Sequence, residues 1–525
     1  MNAKDINEIK DINANTNANI NANTNAILSK EVQKLLVKKY LEESNFVQAN
    51  IESFNDFVEW RLQALIDEIG EAIPSVVPAE TEEVKIVFGK IRVEKPVFLE
   101  ADGTKWKLLP SEARLRDLTY AAPVYLETSL IIDGKERERA EVPICELPIM
   151  LKSKYCYLHG LSKEELIAAG EDPYDPGGYF IVNGTERVLV LIEDLAPNTI
   201  FVQKERAGPI THSASVYSAS ELYRVPHTLE RNKEGELLLT FGTNTRIPLI
   251  LILKALGLVK DADIAAEIGV EDNDIYVNLM EFVEKRTKEA ALDTIGEEMG
   301  MSMPKEQRIE RVQSILDGFL LPHIGLTPEA RLKKAKYLCR VAKKLLLCKQ
   351  GKIRKDDKDH LQNKRVRLAG DLLEDLFRQN LRAFVNDVLY IFQRSVRRGK
   401  ILPLTSLIRA KFLSDKVRSA LATGNWTASR QGVSQRLDRE NALAALSHLQ
   451  RVASPLEAQR ESFEARTLHG THFGRLCALE SPEGKHIGLR KNLALLAFIS
   501  PQPQKEEMEA NLQIIKQLGL KPVED

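Results

Sequence analysis

The sequence predicts a multidomain α+β protein. Its 525 residues correspond to about three domains at typical domain sizes. Alternating β-branched residues, as in 84–100, predict strands, whereas apolar residues at helical spacing, as in 371–398, predict long helices. A hydrophobic fraction of 43% and a charged fraction of 28% are typical of globular proteins and exclude wholesale disorder, a collagen-like fibre or a disulfide scaffold.

The N-terminal elements follow one another in a clear order. Residues 1–28 form an Asn-rich tail that we expect to be disordered, because Asn and Thr without an apolar period cannot build a core. Apolar residues then recur at helical spacing up to Ile69, and Pro74 ends the pattern. Strands are predicted over 84–100, 124–132 and 142–150.

A β-hairpin is predicted within residues 172–192. A Pro/Gly-rich turn leads into an apolar run, Asn183-Gly184 follows, and a second apolar run completes the pattern. Asn-Gly favours a type I′ turn, which requires a positive φ at both positions.

The central region is predicted to change from strand to helix. Strands are expected over 237–253. Helices are expected over 275–299, 306–321, 327–350 with Thr327 as N-cap, and 371–398 with Asp371 as cap. The stretch 423–500 has short elements, many turns and four of the nine histidines. Arg466, Arg475 and other arginines lie in the same stretch, and functional residues concentrate in such stretches.

Cysteine usage and hydropathy bear on the cellular compartment. None of the five cysteines forms a CxxC pair, so we expect reduced thiols in a cytoplasm. The longest apolar run, Ile247 to Val259, is thirteen residues long and contains Lys254. A membrane span needs about 18 or more, so we expect none, and the first 30 residues show no secretory signal core.

Charge is unevenly distributed although the net charge is −1. Residues 261–300 carry a net −9, residues 331–365 a net +11 and residues 378–418 a net +8. The two basic segments predict faces for a polyanion such as nucleic acid. The alternative interpretation is that they are solvated helix faces.

Two groups of residues have the chemistry of metal ligands. Asp356, Asp357 and Asp359 could hold Mg²⁺, although such a run more often forms a hydrophilic turn. His469, His472 and Cys477 could ligate zinc, but their spacing fits no common template and a fourth ligand is missing. The residues alone therefore indicate a nucleic-acid-facing protein without a complete catalytic centre.

Several long motifs resemble one family. The segments RQGVSQRLDRENALAALSHLQRVASPL (430–456) and ARTLHGTHFGRLCALESPEGKHIGLRKNLAL (465–495) resemble the fork region of the second-largest subunit of DNA-directed RNA polymerase. Earlier segments agree in order: 113–127, 147–158, 175–190 (DPGGYFIVNGTERVLV), 247–257, 320–325 and 356–373 (DDKDHLQNKRVRLAGDLL). The residues of these motifs are closer to those of the archaeal and eukaryotic branch of the family than to those of the bacterial branch. The length of the chain matches the N-terminal half of the split archaeal form.

The resemblance implies an architecture and a set of partners. It implies a protrusion over 29–205 and 364–422, an inserted lobe over 206–363, a fork over 423–500, and at 501–525 the start of a domain completed by a partner chain. The implied partners are the DNA template, the RNA–DNA hybrid, the C-terminal half of the subunit, the largest-subunit chains and other polymerase subunits, with no membrane. No cofactor is expected on this chain, whereas Mg²⁺ is expected in the assembled enzyme, at a site in the largest subunit.

The resemblance also implies positions for individual residues. It places Glu483 near the active-site metal and the incoming nucleotide, with Arg466 and Arg475 as nearby cations. It places Arg430, Gln435, Asp438, His448 and Arg451 at the fork, beside the hybrid. Lys333, Lys334, Arg397 and Arg398 are candidate DNA-cleft contacts. Gln450, Gly470, Ala478 and Lys485 depart from the family's usual pattern.

Three functions remain as alternatives. The leading one is a polymerase subunit for template-directed RNA synthesis from ribonucleoside triphosphates. The others are a nucleic-acid-binding scaffold outside a polymerase and a self-sufficient nucleotidyl transferase that uses Asp356, Asp357 and Asp359.

Overall fold

A computed structural model describes residues 30–43, 45–78, 81, 83–100, 104–205, 208–220, 224–242, 245–426, 430–456, 463–500 and 505–520. The predicted tail over 1–28 lies outside these residues. The chain divides into two compact units. The described residues within Met1–Leu191, Leu368–Val452 and Asn492–Asp525 form the first unit, and those within Ile192–Arg367 and Ala453–Lys491 form the second.

The helices of the described residues occur in both units. In chain order they are α1 (Lys30–Glu43), α2 (Gln48–Asp56), α3 (Leu62–Ile69), α4 (Pro110–Leu115), α5 (Lys163–Ala168), α6 (Leu249–Ala255), α7 (Asp261–Ile268), α8 (Asn273–Glu281), α9 (Lys288–Glu298), α10 (Lys305–Phe319), α11 (Arg331–Lys349), α12 (Ala369–Val396), α13 (Leu404–Leu407), α14 (Ala410–Thr423), α15 (Ala442–Leu449), α16 (Phe463–Arg466) and α17 (Lys505–Gln517).

Strands occur along the chain together with these helices, in agreement with the predicted α+β class. They are β1 (Glu71–Ala72), β2 (Val84–Val93), β3 (Val97–Leu99), β4 (Lys105–Lys107), β5 (Ala121–Ile132), β6 (Lys135–Pro148), β7 (Phe180–Val182), β8 (Thr185–Leu189), β9 (Leu191–Leu195), β10 (Ile200–Lys204), β11 (Ile210–Ala219), β12 (Arg224–Asn232), β13 (Leu237–Phe241), β14 (Ile247–Pro248), β15 (Lys364–Arg367), β16 (Ser434–Arg436), β17 (Arg451–Ala453) and β18 (Arg490–Asn492).

Antiparallel sheets organise the first unit. One sheet has the strand order β1-β2-β5-β6, and a smaller one has the order β16-β8-β7. The predicted hairpin is confirmed: Val182 pairs with Thr185 across the turn, and Asn183 and Gly184 have φ of 48° and 69°. The hairpin strand β8 also pairs with β16, matching Gln435 with Val188.

The long helix α12 builds the core of the first unit. Its residues Leu372, Phe377 and Phe384 are buried, and the Phe377 ring lies 5.3 Å from that of Phe57. A Cβ at Gly370 would come within 2.1 Å of the Ser53 carbonyl oxygen. Only glycine therefore allows α12 to approach α2 this closely.

The second unit packs helices against a five-stranded antiparallel sheet of order β10-β11-β12-β13-β14. Its core draws on this sheet and on α6 to α11, with Leu239, Leu251, Val312 and Leu338 among the buried side chains. Strand β15 pairs antiparallel with β9 in the same unit, matching Arg367 with Ile192.

The structure corrects or refines several sequence predictions. Residues 249–253 were expected to be strand but belong to helix α6, whose side chains are all buried; an unbroken apolar run has no period that separates a buried helix from a buried strand. Thr327 precedes a short 3₁₀ turn (Pro328–Ala330) that leads into α11, and its side chain makes no capping bond. Asp371 caps α12 from inside its first turn, accepting from the Leu368 amide at 3.0 Å.

The described helices differ widely in length and in apolar character. Among them, none is both long enough and apolar enough to cross a bilayer.

Candidate functional site

In the second unit, the turn Ser481-Pro482-Glu483-Gly484 presents a carboxylate. Glu483 is exposed and in extended conformation, with φ −74° and ψ 161°, and Gly484 follows with φ 78°. Within the part of the chain that the structure describes, no hydrogen bond or ion pair engages the Glu483 side chain. The turn thus holds a carboxylate that is free to meet a cation from outside this unit.

Arg466 holds this turn in place. Its guanidinium donates to the carbonyl oxygens of Lys485 at 2.7 Å and Ile487 at 3.1 Å. The Gly488 amide donates to Ser481 Oγ at 2.9 Å. A Cβ at Gly488, whose φ is 70°, would lie 2.2 Å from the Arg466 carbonyl oxygen. Arg466 therefore acts here as a positioning residue for the turn that carries Glu483.

Arg475 lies in a more open setting than Arg466. It is exposed, and its guanidinium donates a long hydrogen bond to the Thr471 carbonyl oxygen at 3.3 Å. Phe473 and Leu479 beside it are 61% and 93% exposed. The stretch 475–479 has no extended strand and contains a single bridge residue, Leu476. This loop therefore presents a cation and apolar side chains to its surroundings.

The structure joins two motifs that are more than 100 residues apart. His469 Nε2 lies 3.0 Å from Asp357 Oδ2, and the Leu361 amide donates to Thr471 Oγ1 at 3.2 Å. Burial favours the neutral acid at Asp357, but the hydrogen bonds from the Asp359 amide and His469 outweigh it and lower the pKa of its carboxyl. The segments 356–361 and 469–472 thus form one polar unit.

The candidate magnesium residues do not fit a common ion. Asp356 accepts from the Val202 amide at 2.7 Å and from Lys344 at 2.8 Å. Asp357 faces His469, and Asp359 lies 3.4 Å from Lys364. No group of three potential ligands in the described ranges could hold a metal ion, the set around His469, His472 and Cys477 included. These carboxylates brace loops through their contacts with Val202, Lys344, His469 and Lys364.

A buried ion group ties strands β9, β15 and β18 together. Glu193 is 5% exposed and accepts from Lys491 at 2.8 Å and Lys364 at 3.3 Å. Burial opposes ionisation of Glu193, but the two ammonium groups outweigh it and lower the pKa of the carboxyl. The pKa of Lys491 is lowered as well, chiefly because its ammonium group is buried. Lys491 is therefore used internally, close in sequence to the Glu483 turn.

In the first unit, His448 organises two predicted fork residues. His448 is 4% exposed. Its Nδ1 accepts from the Asp438 amide at 3.2 Å, and its Nε2 lies 3.2 Å from Gln435 Oε1. Because Nδ1 is an acceptor, Nε2 carries the proton and the ring is neutral. The buried His448 ring therefore holds Gln435 and Asp438 in position.

Sequence reasoning missed a charged network in the first unit. Arg439 donates to Glu186 at 2.6 Å and to Asp175 at 2.8 Å, and Arg114 donates to the other oxygen of Glu186 at 2.8 Å. Both arginines also donate to the Tyr179 hydroxyl at 2.9 Å. All five residues lie in the segments that resemble the polymerase family, and this resemblance was the one signal in the sequence that could have indicated the network. The network fastens 436–440 to the β7–β8 hairpin.

The remaining fork residues are half-buried. The Arg430 carbonyl oxygen accepts from the Trp426 amide at 3.0 Å, and Arg451 lies at the start of β17. The unusual Gln450 donates to the Phe46 carbonyl oxygen at 3.4 Å. Gln450 thus has a local structural contact.

The candidate cleft residues differ from one another. Lys333 is exposed, as are Arg397 and Arg398 at the end of α12. Lys334 is fully buried and donates to the carbonyl oxygens of Leu316 at 3.0 Å and Asp317 at 2.8 Å. Burial lowers its pKa to about 8. The prediction that Lys334 contacts DNA is therefore wrong, because its ammonium already satisfies the end of α10.

Comparison with known proteins decides the family. A family model described as RNA polymerase beta subunit matches residues 45–415, and one described as RNA polymerase Rpb2, domain 3, matches residues 435–499. This chain belongs to the RNA polymerase beta subunit family. The predicted resemblance is thereby confirmed.

Individual relatives fall into two length classes. The chain is 43% identical over 495 residues to DNA-directed RNA polymerase subunit Rpo2 of Saccharolobus solfataricus, covering 93% of this chain and 43% of the relative. It is 43% identical over 500 residues to subunit Rpo2N of Methanocaldococcus jannaschii, covering 93% of this chain and 99% of the relative. For Rpo2N of Methanococcus vannielii the identity is 42% over 502 residues, with the same coverage. The chain thus spans less than half the length of the Rpo2 relative and nearly all of Rpo2N, as predicted for the N-terminal half of the split archaeal form.

Proposed function

We propose that this chain is the part of a DNA-dependent RNA polymerase that forms one side of the DNA cleft and the fork beside the active centre. In this role it takes part in template-directed RNA synthesis from ribonucleoside triphosphates. Family membership supports the proposal, and the free carboxylate of Glu483 on its braced turn is the observation that carries it.

The division of the chain supports a protrusion with an inserted lobe. Residues 192–367 of the second unit interrupt the sequence of the first unit, which resumes at Leu368. The predicted lobe, 206–363, lies within that interruption. The predicted fork, 423–500, is shared between the units. Its described residues up to Val452 and from Asn492 onward belong to the first unit, and those within Ala453–Lys491 belong to the second. We assign the fork's two functional parts accordingly, with the Gln435–His448 group in one and the Glu483 turn in the other.

An exposed helix supports assembly with another chain. On α17 the apolar residues Met508, Leu512 and Ile515 are 54%, 45% and 47% exposed and follow helical spacing. An unpaired apolar stripe of this kind is typical of an interface. We assign it to the polypeptide that carries the C-terminal half of the subunit.

The proposed role of Glu483 is electrostatic. In phosphoryl transfer, charge develops on the phosphate oxygens and is stabilised by metal ions and cationic side chains. In the assembled enzyme the largest subunit would hold Mg²⁺. Glu483 would orient a cation or a metal-bound water beside the incoming nucleotide, while Arg466 keeps the turn in register and Arg475 faces the nucleic acid.

Reconstituted polymerase tests this role. We expect Glu483→Ala to assemble normally and to change the elongation rate or fidelity by about tenfold, which corresponds to about 1.4 kcal/mol of barrier. Glu483→Gln keeps the size of the side chain and removes its charge, so it should show most of the same effect. The exposed Glu136 on β6 provides a control, and Glu136→Ala should leave elongation unchanged.

Two results would contradict the proposed role. If Glu483→Ala impairs assembly while the surviving complex elongates normally, the turn is structural. If the purified chain associates with no larger polymerase chains, the scaffold alternative is correct.

A further inference from the structure

Helix α8 of the second unit exposes an apolar stripe. Tyr276, Val277 and Met280 are 55%, 49% and 77% exposed, and Val283 just beyond the helix is 41% exposed. Residues 276 and 280 lie on one helical face because positions four apart meet on neighbouring turns, and Val283 follows in the turn after the helix. Ile275 and Leu279, on another face, are buried in the core of the unit. The stripe is therefore additional to the residues that α8 needs for folding.

Acidic residues adjoin this stripe in the chain, with Glu281 directly after Met280 and Glu284 directly after Val283. Several acids of the 261–300 segment are neutralised internally: Asp272 and Asp274 by Lys349, and Asp293 by Arg308. No salt bridge among the described residues engages Glu271, Glu281, Glu284 or Glu298.

The acids nearest the stripe repel one another. Burial chiefly raises the pKa of Glu281, and the negative charges of Glu236 and Glu298 raise it further. Lys285, Arg286 and Lys288 follow the stripe in sequence and offset this negative charge only in part. The apolar stripe thus lies in an electronegative surface, unlike the basic segments 331–365 and 378–418, which are predicted to face a polyanion.

We propose that the α8 face is a docking site for a basic amphipathic helix of a protein partner. Nucleic acid and anionic membranes carry the charge that this surface already has, and a second copy would oppose acid to acid. A helix with an apolar stripe flanked by Lys or Arg matches both features, since apolar anchors supply affinity and charge complementarity supplies orientation and association rate. Tyr and Met are enriched in such interfaces. The inference goes beyond the polymerase role and does not depend on it.

Titration of the full chain with a defined probe tests the proposal. The probe is a fluorescein-labelled synthetic peptide of Leu and Lys patterned as an amphipathic helix, followed by fluorescence anisotropy. We expect Met280→Ser to weaken binding about tenfold, as for an interface anchor, and Glu281→Lys to weaken it most at low salt. Ile167→Ser on α5, where Ile167 is 62% exposed, is the matched control and should bind as the unchanged chain does.

Four results would overturn the proposal. They are equal affinity of Met280→Ser and Ile167→Ser, equal binding of a Leu/Glu peptide of the same pattern, displacement of the probe by single-stranded DNA, and a change of oligomeric state on Met280→Ser. Because Met280 and Glu281 are both exposed, one variant remains informative if the other loses thermal stability.

Discussion

Single buried side chains in this protein often complete backbone hydrogen bonding. His227 is 2% exposed; its Nδ1 lies 3.0 Å from the Val225 carbonyl oxygen, and its Nε2 accepts from the Leu321 amide at 3.0 Å. The ring therefore fits only in the neutral form with the proton on Nδ1. Lys334 plays a comparable part at the end of α10.

We expect His227 to make the stability of the second unit depend on pH. Burial lowers the pKa of His227 from 6.5 to about 4, so the unfolded chain binds the proton more readily than the folded one. Above pH 6.5 the ring is neutral in both states and the free energy of unfolding keeps its full value. As the pH falls from 6.5 to 4, proton uptake by the unfolded chain lowers the free energy of unfolding by about 3 kcal/mol.

Urea denaturation between pH 4 and 7 measures this effect. His227→Gln should lower stability at pH 7 and flatten its decline below pH 6.5. A smaller slope should remain from groups such as the half-buried His323, whose pKa is also lowered by burial. His159→Gln, at an exposed position, should leave the profile unchanged. An unaltered profile in His227→Gln would show that another group titrates.

At the scale of elements, charged networks fix short segments that have little regular structure. Strand β16 has only three residues, yet Arg439 fastens the segment that follows it to the β7–β8 hairpin. In the second unit, Arg466 and Gly488 do the same for the turn of Glu483. Short elements in this protein thus depend on long-range polar contacts.

Removing Arg439 should loosen its segment locally. In Arg439→Ala the carboxylates of Glu186 and Asp175 lose one cation, and Arg114 remains to neutralise Glu186. We expect amide hydrogen exchange over 434–440 to rise roughly tenfold, since losing a charge-assisted bond costs about 1.5–3 kcal/mol when it is well shielded and less here, where Arg439 is 42% exposed. Arg418→Ala, which removes an exposed pair with Asp415, is the control; equal exchange in both variants would contradict the assignment.

Substitution of Gly488 should displace the turn of Glu483 without removing its charge. Alanine at φ 70° with its Cβ 2.2 Å from the Arg466 carbonyl oxygen forces the backbone to move. We expect Gly488→Ala to reproduce the elongation defect of Glu483→Ala. Gly474→Ala has a comparable positive φ of 77° but meets no atom within 4 Å, so its smaller effect would isolate the contribution of the steric contact.

At the scale of the whole molecule, the structure divides the basic segments into internal and external charges. In 331–365, Lys344 pairs with Asp356, and Lys349 pairs with Asp272 and Asp274. Lys333, Lys343 and Lys352 are exposed. Exposed lysines can face a polyanion, whereas Lys344 and Lys349 are engaged with carboxylates within the protein, so the charge available to a polyanion is smaller than the sequence total.

The salt dependence of DNA binding should follow this division. For the assembled enzyme we expect the combined change Lys333→Gln, Lys343→Gln and Lys352→Gln to reduce the slope of log affinity against log salt by up to about 0.9 for each duplex phosphate that these lysines neutralise. Lys344→Gln should lower stability and leave the slope unchanged. An unchanged slope in the triple variant would show that these lysines form a solvated face.

Local propensity and long motifs were enough to predict the family, the α+β class, the Asn183-Gly184 hairpin and the turn that carries Glu483. The tertiary structure alone decided which charges are used internally. It buried Lys334, assigned Asp356 and Lys344 to each other, and joined Arg439 to Glu186 across more than 250 residues. It also made residues 249–255 a helix, since a continuous apolar run takes whichever conformation the surrounding core can pack. Burial and pairing depend on residues distant in the chain, so no local pattern could have shown them.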